Sequence, residues 1–159
     1  MKNLVVYYSL EGNTKLIAET IRKEINADML ELRPEKQYPN KGFKKYFWGG
    51  KSVVFKEQPK LLNKWIDISI YDRVFIGTPV WAGTYAAPFN TFFNQHKLKN
   101  KEVALFACHG GGGADKCLNN FKKELVNNKI IGQIEFIDPL KKNKDENIQQ
   151  TINWIKSLY

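Results

Sequence analysis

Hydroxyl, amide and glycine residues are concentrated just after the first apolar segment of this 159-residue chain, in Ser9-Leu10-Glu11-Gly12-Asn13-Thr14. Ser9 and Thr14 offer hydroxyls, Asn13 offers an amide, and Gly12 permits a tight or left-handed turn. A helix that begins here directs its free N–H groups and its positive dipole end at the loop. The stretch can therefore hold a phosphate without a lysine, although the same residues also make an ordinary helix N-cap.

A second stretch combines aromatic rings with turn-forming residues, in Gly77-Thr78-Pro79-Val80-Trp81-Ala82-Gly83-Thr84-Tyr85. Trp81 and Tyr85 offer flat faces on which a planar ligand can stack. Gly83 lets a backbone peptide approach the edge of such a ligand. Trp81 could instead pack in the core, but its neighbours are Pro, Gly and Thr at a strand end, which favours a binding role.

A third stretch is rich in glycine, in Cys108-His109-Gly110-Gly111-Gly112-Gly113. Four consecutive glycines are costly in conformational entropy, and they make sense where bare backbone lies against a planar ligand. We expect Cys108 to pack at a strand end, with a disulfide switch to Cys117 as the alternative. The imidazole of His109 falls in this presumed loop, where it could be solvated.

These three stretches follow predicted strands of an alternating β-α pattern. Continuous apolar, β-branched segments predict strands at residues 3–8, 28–32, 73–77, 102–108 and 130–137. Apolar residues at helical spacing predict helices at residues 13–25, 88–96, 115–126 and 148–159. This alternation favours a parallel sheet with helices on both faces. Ligands bind beyond the carboxyl ends of such strands, so the three stretches should converge at one edge.

Other functions of α/β proteins do not match these residues. A receiver domain needs acidic residues where Ser9 and Thr78 stand, and a C-x5-R phosphatase cradle at Cys108 needs arginine where Ala114 stands. The HGGG stretch at His109 resembles an esterase oxyanion loop, but the chain contains no G-x-S-x-G nucleophile motif. Two cysteines and two histidines make a thin metal-binding set.

The motifs do resemble the flavodoxin family. Ser9-x-x-Gly12-Asn13-Thr14 after a first strand is similar to its FMN phosphate loop, and residues 77–85 are similar to the segment that lines its isoalloxazine ring. The resemblance implies an α/β three-layer sandwich, flavodoxin-like, with a five-stranded parallel sheet in the order 2-1-3-4-5. It implies FMN as the cofactor, bound by Ser9, Leu10, Glu11, Gly12, Asn13, Thr14, Thr78, Pro79, Val80, Trp81, Ala82, Gly83, Tyr85, Cys108, His109, Gly110, Gly111, Gly112 and Gly113.

The positive charge is concentrated in one segment. The chain has a formal net charge of +9, and residues 33–64 hold nine basic and two acidic side chains. We interpret residues 1–159 as one domain with a basic insertion at about 34–65. A basic surface can meet nucleic acid, an acidic membrane or an acidic protein. The segment reads more simply as a solvated lysine-rich face, and we do not expect a nucleic-acid partner.

The expected location is cytoplasmic. No apolar run is long enough to span a bilayer, none resembles a signal peptide, and two cysteines make no disulfide framework.

The resemblance implies a low-potential one-electron carrier that serves a redox partner protein. Two departures from the family keep an alternative open. The third loop lacks the usual second aromatic, so Trp48 or Tyr46 of the insertion covers the outer flavin face or that face stays open to a substrate. The chain is also basic, whereas carriers of this family are typically acidic around the flavin. Both departures suit an FMN-dependent NAD(P)H oxidoreductase, such as a quinone or small-molecule reductase. A flavin-free binding module is the third hypothesis.

Overall fold

The computed structural model describes residues 1–40, 49–53 and 55–159. Its strands are β1 (Asn3–Tyr7), β2 (Asp28–Glu31), β3 (Arg73–Trp81), β4 (Thr84–Tyr85), β5 (Glu102–His109) and β6 (Lys129–Ile137). Its named helices are α1 (Asn13–Ile25), α2 (Pro88–Gln95), α3 (Asp115–Glu124) and α4 (Lys144–Ser157). Residues 49–53 are also helical, and Ile68–Ile70 form a short 3-10 turn.

Five strands form one parallel sheet in the order β2-β1-β3-β5-β6, and the short β4 pairs antiparallel with β3. The predicted fold class and strand order are confirmed, because β5 and β6 are the fourth and fifth strands of the prediction. The additional strand β4 was not predicted.

Two apolar layers cover the sheet because successive strand residues point to opposite faces. In β1, Leu4 and Val6 face a cluster that includes Phe89 of α2 and Phe121 of α3. Val5 faces the other cluster, with residues of α1 and α4. The central strands β1, β3 and β5 are buried on both sides, and they therefore read as nearly unbroken apolar runs in the sequence.

The segment from Arg73 to Tyr85 differs most from the prediction. We expected a strand to residue 77 and then a loop, but β3 continues to Trp81 and turns back through Ala82 and Gly83 into β4. Both turn residues have positive φ, 45° at Ala82 and 77° at Gly83. Positive φ at both positions is what a type I′ hairpin turn requires, so the turn explains Gly83 without a ligand.

The basic insertion is closed at its base by antiparallel contacts. The N–H of Glu35 donates to the Lys60 carbonyl at 2.8 Å, and the N–H of Leu62 donates to the Arg33 carbonyl at 2.7 Å. The described helical part of the insertion is residues 49–53. Tyr46 and Trp48, which were predicted as possible covers of the outer flavin face, lie outside the described residues.

No helix in the described parts of the chain is long and apolar enough to cross a membrane.

Candidate functional site

A cavity of about 290 Å³ opens at the carboxyl edge of the parallel sheet. The three predicted loops contribute to it, together with two further segments. The lining residues are Ser9, Leu10, Glu11, Asn13, Thr14, Gly49, Gly50, Pro79, Val80, Trp81, Ala82, Cys108, His109, Gly110, Asp138 and Lys141. Such a cleft at the point where strand order reverses is where open α/β sheets bind ligands.

Ser9 organises the loop that precedes α1. Its Oγ accepts hydrogen bonds from the N–H groups of Gly12 and Lys15, both at 3.2 Å. Gly12 has φ +95° and stands at the N-cap of α1. Ser9 and Gly12 therefore do form a cap at the start of α1. This cap leaves the N–H groups of Asn13 and Thr14, in the first turn, without acceptors inside the helix.

Thr14 supplies the observation that points beyond capping. Its side chain is buried, with 1% exposure, and its Oγ1 makes no hydrogen bond of ordinary geometry to any residue that the structure describes. The Cys108 thiol lies close enough to interact with this hydroxyl, but a thiol is a weak hydrogen-bonding group and satisfies it poorly. The residue lines the cavity at the N-terminus of α1. A buried, unsatisfied hydroxyl is costly in a folded protein. Beside a positive helix end, it fits a phosphate oxygen that would complete its hydrogen bond.

Asn13 lines the cavity and also has a role in the fold that the sequence did not predict. Its Oδ1 accepts a hydrogen bond from the N–H of Leu140 at 2.9 Å, across 127 residues of sequence. The Leu140 side chain covers Gly12 so closely that a Cβ on Gly12 would lie 3.2 Å from Leu140 Cδ2. The Asn13 amide oxygen thus ties the loop after β6 to the loop after β1.

His109 is buried rather than solvated, with 8% exposure. Its Nδ1 accepts hydrogen bonds from the N–H groups of Gly111 at 3.0 Å and Gly113 at 3.2 Å. Because Nδ1 accepts, these hydrogen bonds assign the proton of the neutral ring to Nε2, which lies 3.6 Å from Glu135 Oε2. The imidazole holds the glycine loop in shape.

The glycine loop presents backbone to open space. A Cβ on Gly110 or Gly112 would meet no heavy atom within 4 Å, so packing does not require glycine at either position. Gly111 and Gly113 have φ +132° and +81°, which side chains rarely adopt. Only Gly110 of the four lines the cavity. The arrangement leaves room for a flat ligand against the Gly110 backbone.

Trp81 belongs to both the core and the cavity wall. Its side chain is 7% exposed and makes edge-on contacts with Tyr8 and Tyr38, at centroid distances of 5.4 and 4.9 Å. The face of the ring lies against Gly49, where a Cβ would be 3.5 Å from Trp81 Cδ2. Core packing, which the sequence argument disfavoured, is thus a substantial part of its role.

Three predicted residues of the second stretch, Thr78, Gly83 and Tyr85, do not line the cavity. The Tyr85 ring stacks on Phe121 at 4.7 Å and 5°, and its hydroxyl donates to Glu124 Oε1 at 3.4 Å. The buried Thr78 hydroxyl donates to the Pro79 carbonyl and accepts from the N–H of Ala86. Gly83 occupies the hairpin turn. The fold accounts for all three, and their predicted contacts with FMN stay a prediction.

Both cysteines are free and buried, at Cys108 and Cys117. Burial raises the pKa of each thiol to about 12. A thiol with such a pKa stays protonated at neutral pH and reacts slowly. The sulfur atoms therefore act as packing groups, although Cys108 also borders the cavity.

Four lining residues were missed by the sequence argument, namely Gly49, Gly50, Asp138 and Lys141. Asp138 and Lys141 follow β6, whose carboxyl end lies at the same edge as the other parallel strands. The rule that selected the other loops applies equally to this one and would have identified it. The glycine pair was visible in the sequence, but its contact with Trp81 depends on how the insertion folds back.

Comparison with known proteins agrees with this geometry. Residues 2–155 match the flavodoxin family model. The chain is 30% identical over 139 residues to the flavodoxin-like domain-containing protein BilS of Clostridioides difficile, and spans 59% of that protein's length.

Two solved structures illustrate the structural likeness. The flavoprotein from Lactobacillus acidophilus, crystallised in complex with FMN, has 29% identity and a TM-score of 0.74, with 90% of this chain and 97% of that chain covered. Oxidised flavodoxin 2 from Bacillus cereus has the same fold, at 17% identity and a TM-score of 0.62, with 99% and 97% covered. With the family model matching nearly the whole sequence, and the predicted sheet order in place, this chain belongs to the flavodoxin family.

Proposed function

We propose that this protein is a low-potential one-electron carrier that binds FMN. The observation that carries FMN binding is the unsatisfied Thr14 hydroxyl, set in the same cavity as the Trp81 wall and the Gly110 backbone. One end of the cavity fits a phosphate, and the remainder fits a flat ring. Membership of the flavodoxin family and the FMN-bound Lactobacillus relative support the same cofactor.

When bound, FMN supplies the redox chemistry, and the protein controls its binding, potential and access. The carboxylates of Glu11 and Asp138 line the cavity. Negative charge beside a flavin opposes the addition of electrons, because the reduced ring gains negative charge. These two residues support a low potential.

Several polar groups at the cavity are engaged in the fold, which supports a carrier over a reductase, although the buried His109 Nε2 has no hydrogen-bond partner among the described residues. His109 Nδ1 is occupied by two glycine N–H groups, and the Asn13 amide oxygen by Leu140. Burial keeps Cys108 protonated, and burial also raises the pKa of the Tyr8 phenol, which packs against Trp81, well above its ordinary value. Transfer of single electrons requires no acid or base from the protein, whereas reduction of an organic substrate usually requires a proton donor.

The basic segment supports a partner protein with an acidic surface. Lys36, Lys56, Lys60 and Lys64 are exposed, and Lys60 also pairs with Glu35 at 2.8 Å. Opposite charges on two proteins accelerate their encounter. The partner, its acidic character and the cytoplasmic location stay predictions.

A second cavity keeps the reductase as an alternative function. It lies across the β3–β4 hairpin, has a volume of about 360 Å³, and shares Ala82 with the first cavity. Lys56 and Lys116 line it, together with Glu124. Two lysines beside a flavin site could hold the phosphates of NAD(P)H, which would bring hydride to the ring.

A spectroscopic experiment tests these functions. The purified protein is mixed with FMN, and the visible spectrum and flavin fluorescence are recorded. The complex is then titrated anaerobically with dithionite, and separately with NADPH. We expect a bound, quenched flavin that dithionite reduces in two resolved one-electron steps and that NADPH leaves oxidised.

The outcomes separate the hypotheses. Rapid bleaching by NADPH favours the reductase over the carrier. If Lys116→Gln is still bleached by NADPH, Lys116 of the second cavity does not hold the NADPH phosphates. A protein that FMN neither colours nor stabilises is a flavin-free binding module, and the proposed function is then wrong.

A further inference from the structure

The loop after β6 is fastened onto the loop that precedes α1. The Asp138 N–H donates to the His109 carbonyl, and the Asp138 carbonyl accepts from the N–H groups of Lys141 and Lys142, each at 2.9 Å. Leu140 is bonded to Asn13 and packed over Gly12. Residues 138–142 are thus held directly beside the predicted phosphate site.

The fold explains why this contact forms. Helices α1 and α4 pack side by side on one face of the sheet. The chain that leaves the edge strand β6 must therefore cross toward α1 before α4 begins. The crossing places Lys141 in the cavity wall together with Ser9 and Thr14.

Charges around the cavity give Lys141 a specific role. Among the described residues that line the cavity, Glu11 and Asp138 are acidic and Lys141 is the one lysine or arginine. Two neighbouring lysines are already paired, since Lys142 lies 3.8 Å from Asp138 and Lys15 lies 3.9 Å from Glu19. Within the described part of the chain, Lys141 makes no ion pair with a carboxylate. Lys141 is therefore the lysine of the described cavity wall whose ammonium group is available to a phosphate.

We propose that Lys141 supplies the counter-charge for the ligand's phosphate and makes this site selective for FMN over riboflavin. The proposal rests on the proposed binding of FMN. It differs from the sequence argument, in which hydroxyls and backbone N–H groups hold the phosphate without a lysine. A flexible ammonium group at the cavity rim can reach a phosphate as a point charge. Its attraction must offset the repulsion from Glu11 and Asp138.

The test compares Lys141→Gln with Lys144→Gln, which removes the same charge from an exposed residue at the start of α4. Dissociation constants for FMN and riboflavin are measured by quenching of flavin fluorescence, at low and at high salt. For Lys141→Gln we expect FMN affinity at low salt to fall about two- to fivefold, the range of an exposed ion pair. Riboflavin affinity should stay unchanged. The loss should shrink at high salt, because salt screens the pair.

Lys144→Gln should leave both affinities unchanged, and Lys141→Arg should retain most of the preference for FMN. Equal losses for FMN and riboflavin in Lys141→Gln would show that the lysine supports the loop and not the phosphate. An unchanged FMN affinity in Lys141→Gln would overturn the inference while leaving FMN binding intact. A wild-type protein that binds neither flavin would overturn the inference and the proposed function together.

Discussion

Replacing Thr14 by valine should stabilise the protein without ligand and weaken FMN binding. Valine has nearly the shape of threonine and lacks the hydroxyl. Thr14 is 1% exposed, and its Oγ1 has no partner of ordinary hydrogen-bond geometry among the described residues. The substitution therefore removes a polar atom that, in the ligand-free fold, has only the weakly hydrogen-bonding Cys108 thiol beside it among the described residues.

The expected gain in stability follows from the desolvation of that hydroxyl. Burying an unsatisfied polar group costs about 1–3 kcal/mol, so the free energy of unfolding of the ligand-free protein should rise by up to this amount. Thr151→Val is the matched control, because Thr151 is also buried in a helix but donates to the Asn147 carbonyl at 2.7 Å. Loss of that bond should lower the stability by about 0.5–1.5 kcal/mol. Urea denaturation followed by circular dichroism measures both changes.

The expected loss of affinity follows from the charge of the phosphate. A hydrogen bond to a charged group contributes about 1.5–3 kcal/mol, which corresponds to a decrease in FMN affinity of roughly 10- to 150-fold. Riboflavin has no phosphate, so its affinity should be the same in Thr14→Val and wild type. Fluorescence quenching measures both ligands in both proteins.

Two results would refute this reasoning. If Thr14→Val destabilises the ligand-free protein as much as Thr151→Val does, the hydroxyl has a partner and is not kept for a ligand. If FMN and riboflavin affinities fall together, Thr14 shapes the loop and does not contact the phosphate.

Three further predictions concern the ring wall, the glycine loop and pH. Trp81→Ala should lower the free energy of unfolding by about 3–5 kcal/mol, as for other buried aromatic residues, and should weaken FMN and riboflavin alike; urea denaturation and fluorescence titration measure the two effects. His109→Ala removes the acceptor for Gly111 and Gly113, so stability should fall by about 1–3 kcal/mol for two lost hydrogen bonds, and hydrogen exchange of both amides should accelerate. Burial lowers the pKa of His96 below its ordinary value of 6.5, so the unfolded chain binds more protons near that pH. Stability should therefore decrease as the pH falls through 6.5 toward the folded-state pKa, and His96→Gln should reduce this slope in urea titrations at pH 5.5–7.5.

Each of these predictions has a contradicting outcome. A Trp81→Ala protein of wild-type stability would contradict the observed core packing, and a selective loss of FMN affinity would place the phosphate near the ring. Unchanged exchange at Gly111 and Gly113 in His109→Ala would mean that the loop is held by other contacts. A His96→Gln protein with an undiminished pH slope would assign the slope to other titrating groups.

The convergence of the three loops was predictable from the sequence, because it depends only on strand direction. Parallel strands bring their carboxyl ends to one edge, so Ser9, Pro79 and Gly110 had to lie near each other once the β-α alternation was recognised. The start of α1 at Asn13 was also predictable, from Gly12 and the apolar spacing that follows it. Local patterns and a general rule of topology were sufficient for these features.

Roles that depend on side-chain partners could not be read in this way. The β-α alternation and the three loops at one edge of the sheet could be predicted from sequence, because backbone conformation and apolar periodicity are local properties. The resemblance of the loop motifs to the flavodoxin family then implied the roles of those loops. Only the tertiary structure showed that Asn13 bonds Leu140, that Tyr85 stacks on Phe121 and that Lys141 lines the cavity. Each of these contacts joins residues at least 30 positions apart, and its geometry depends on how layers of helices pack across the sheet. A short sequence pattern carries no information about such distant partners.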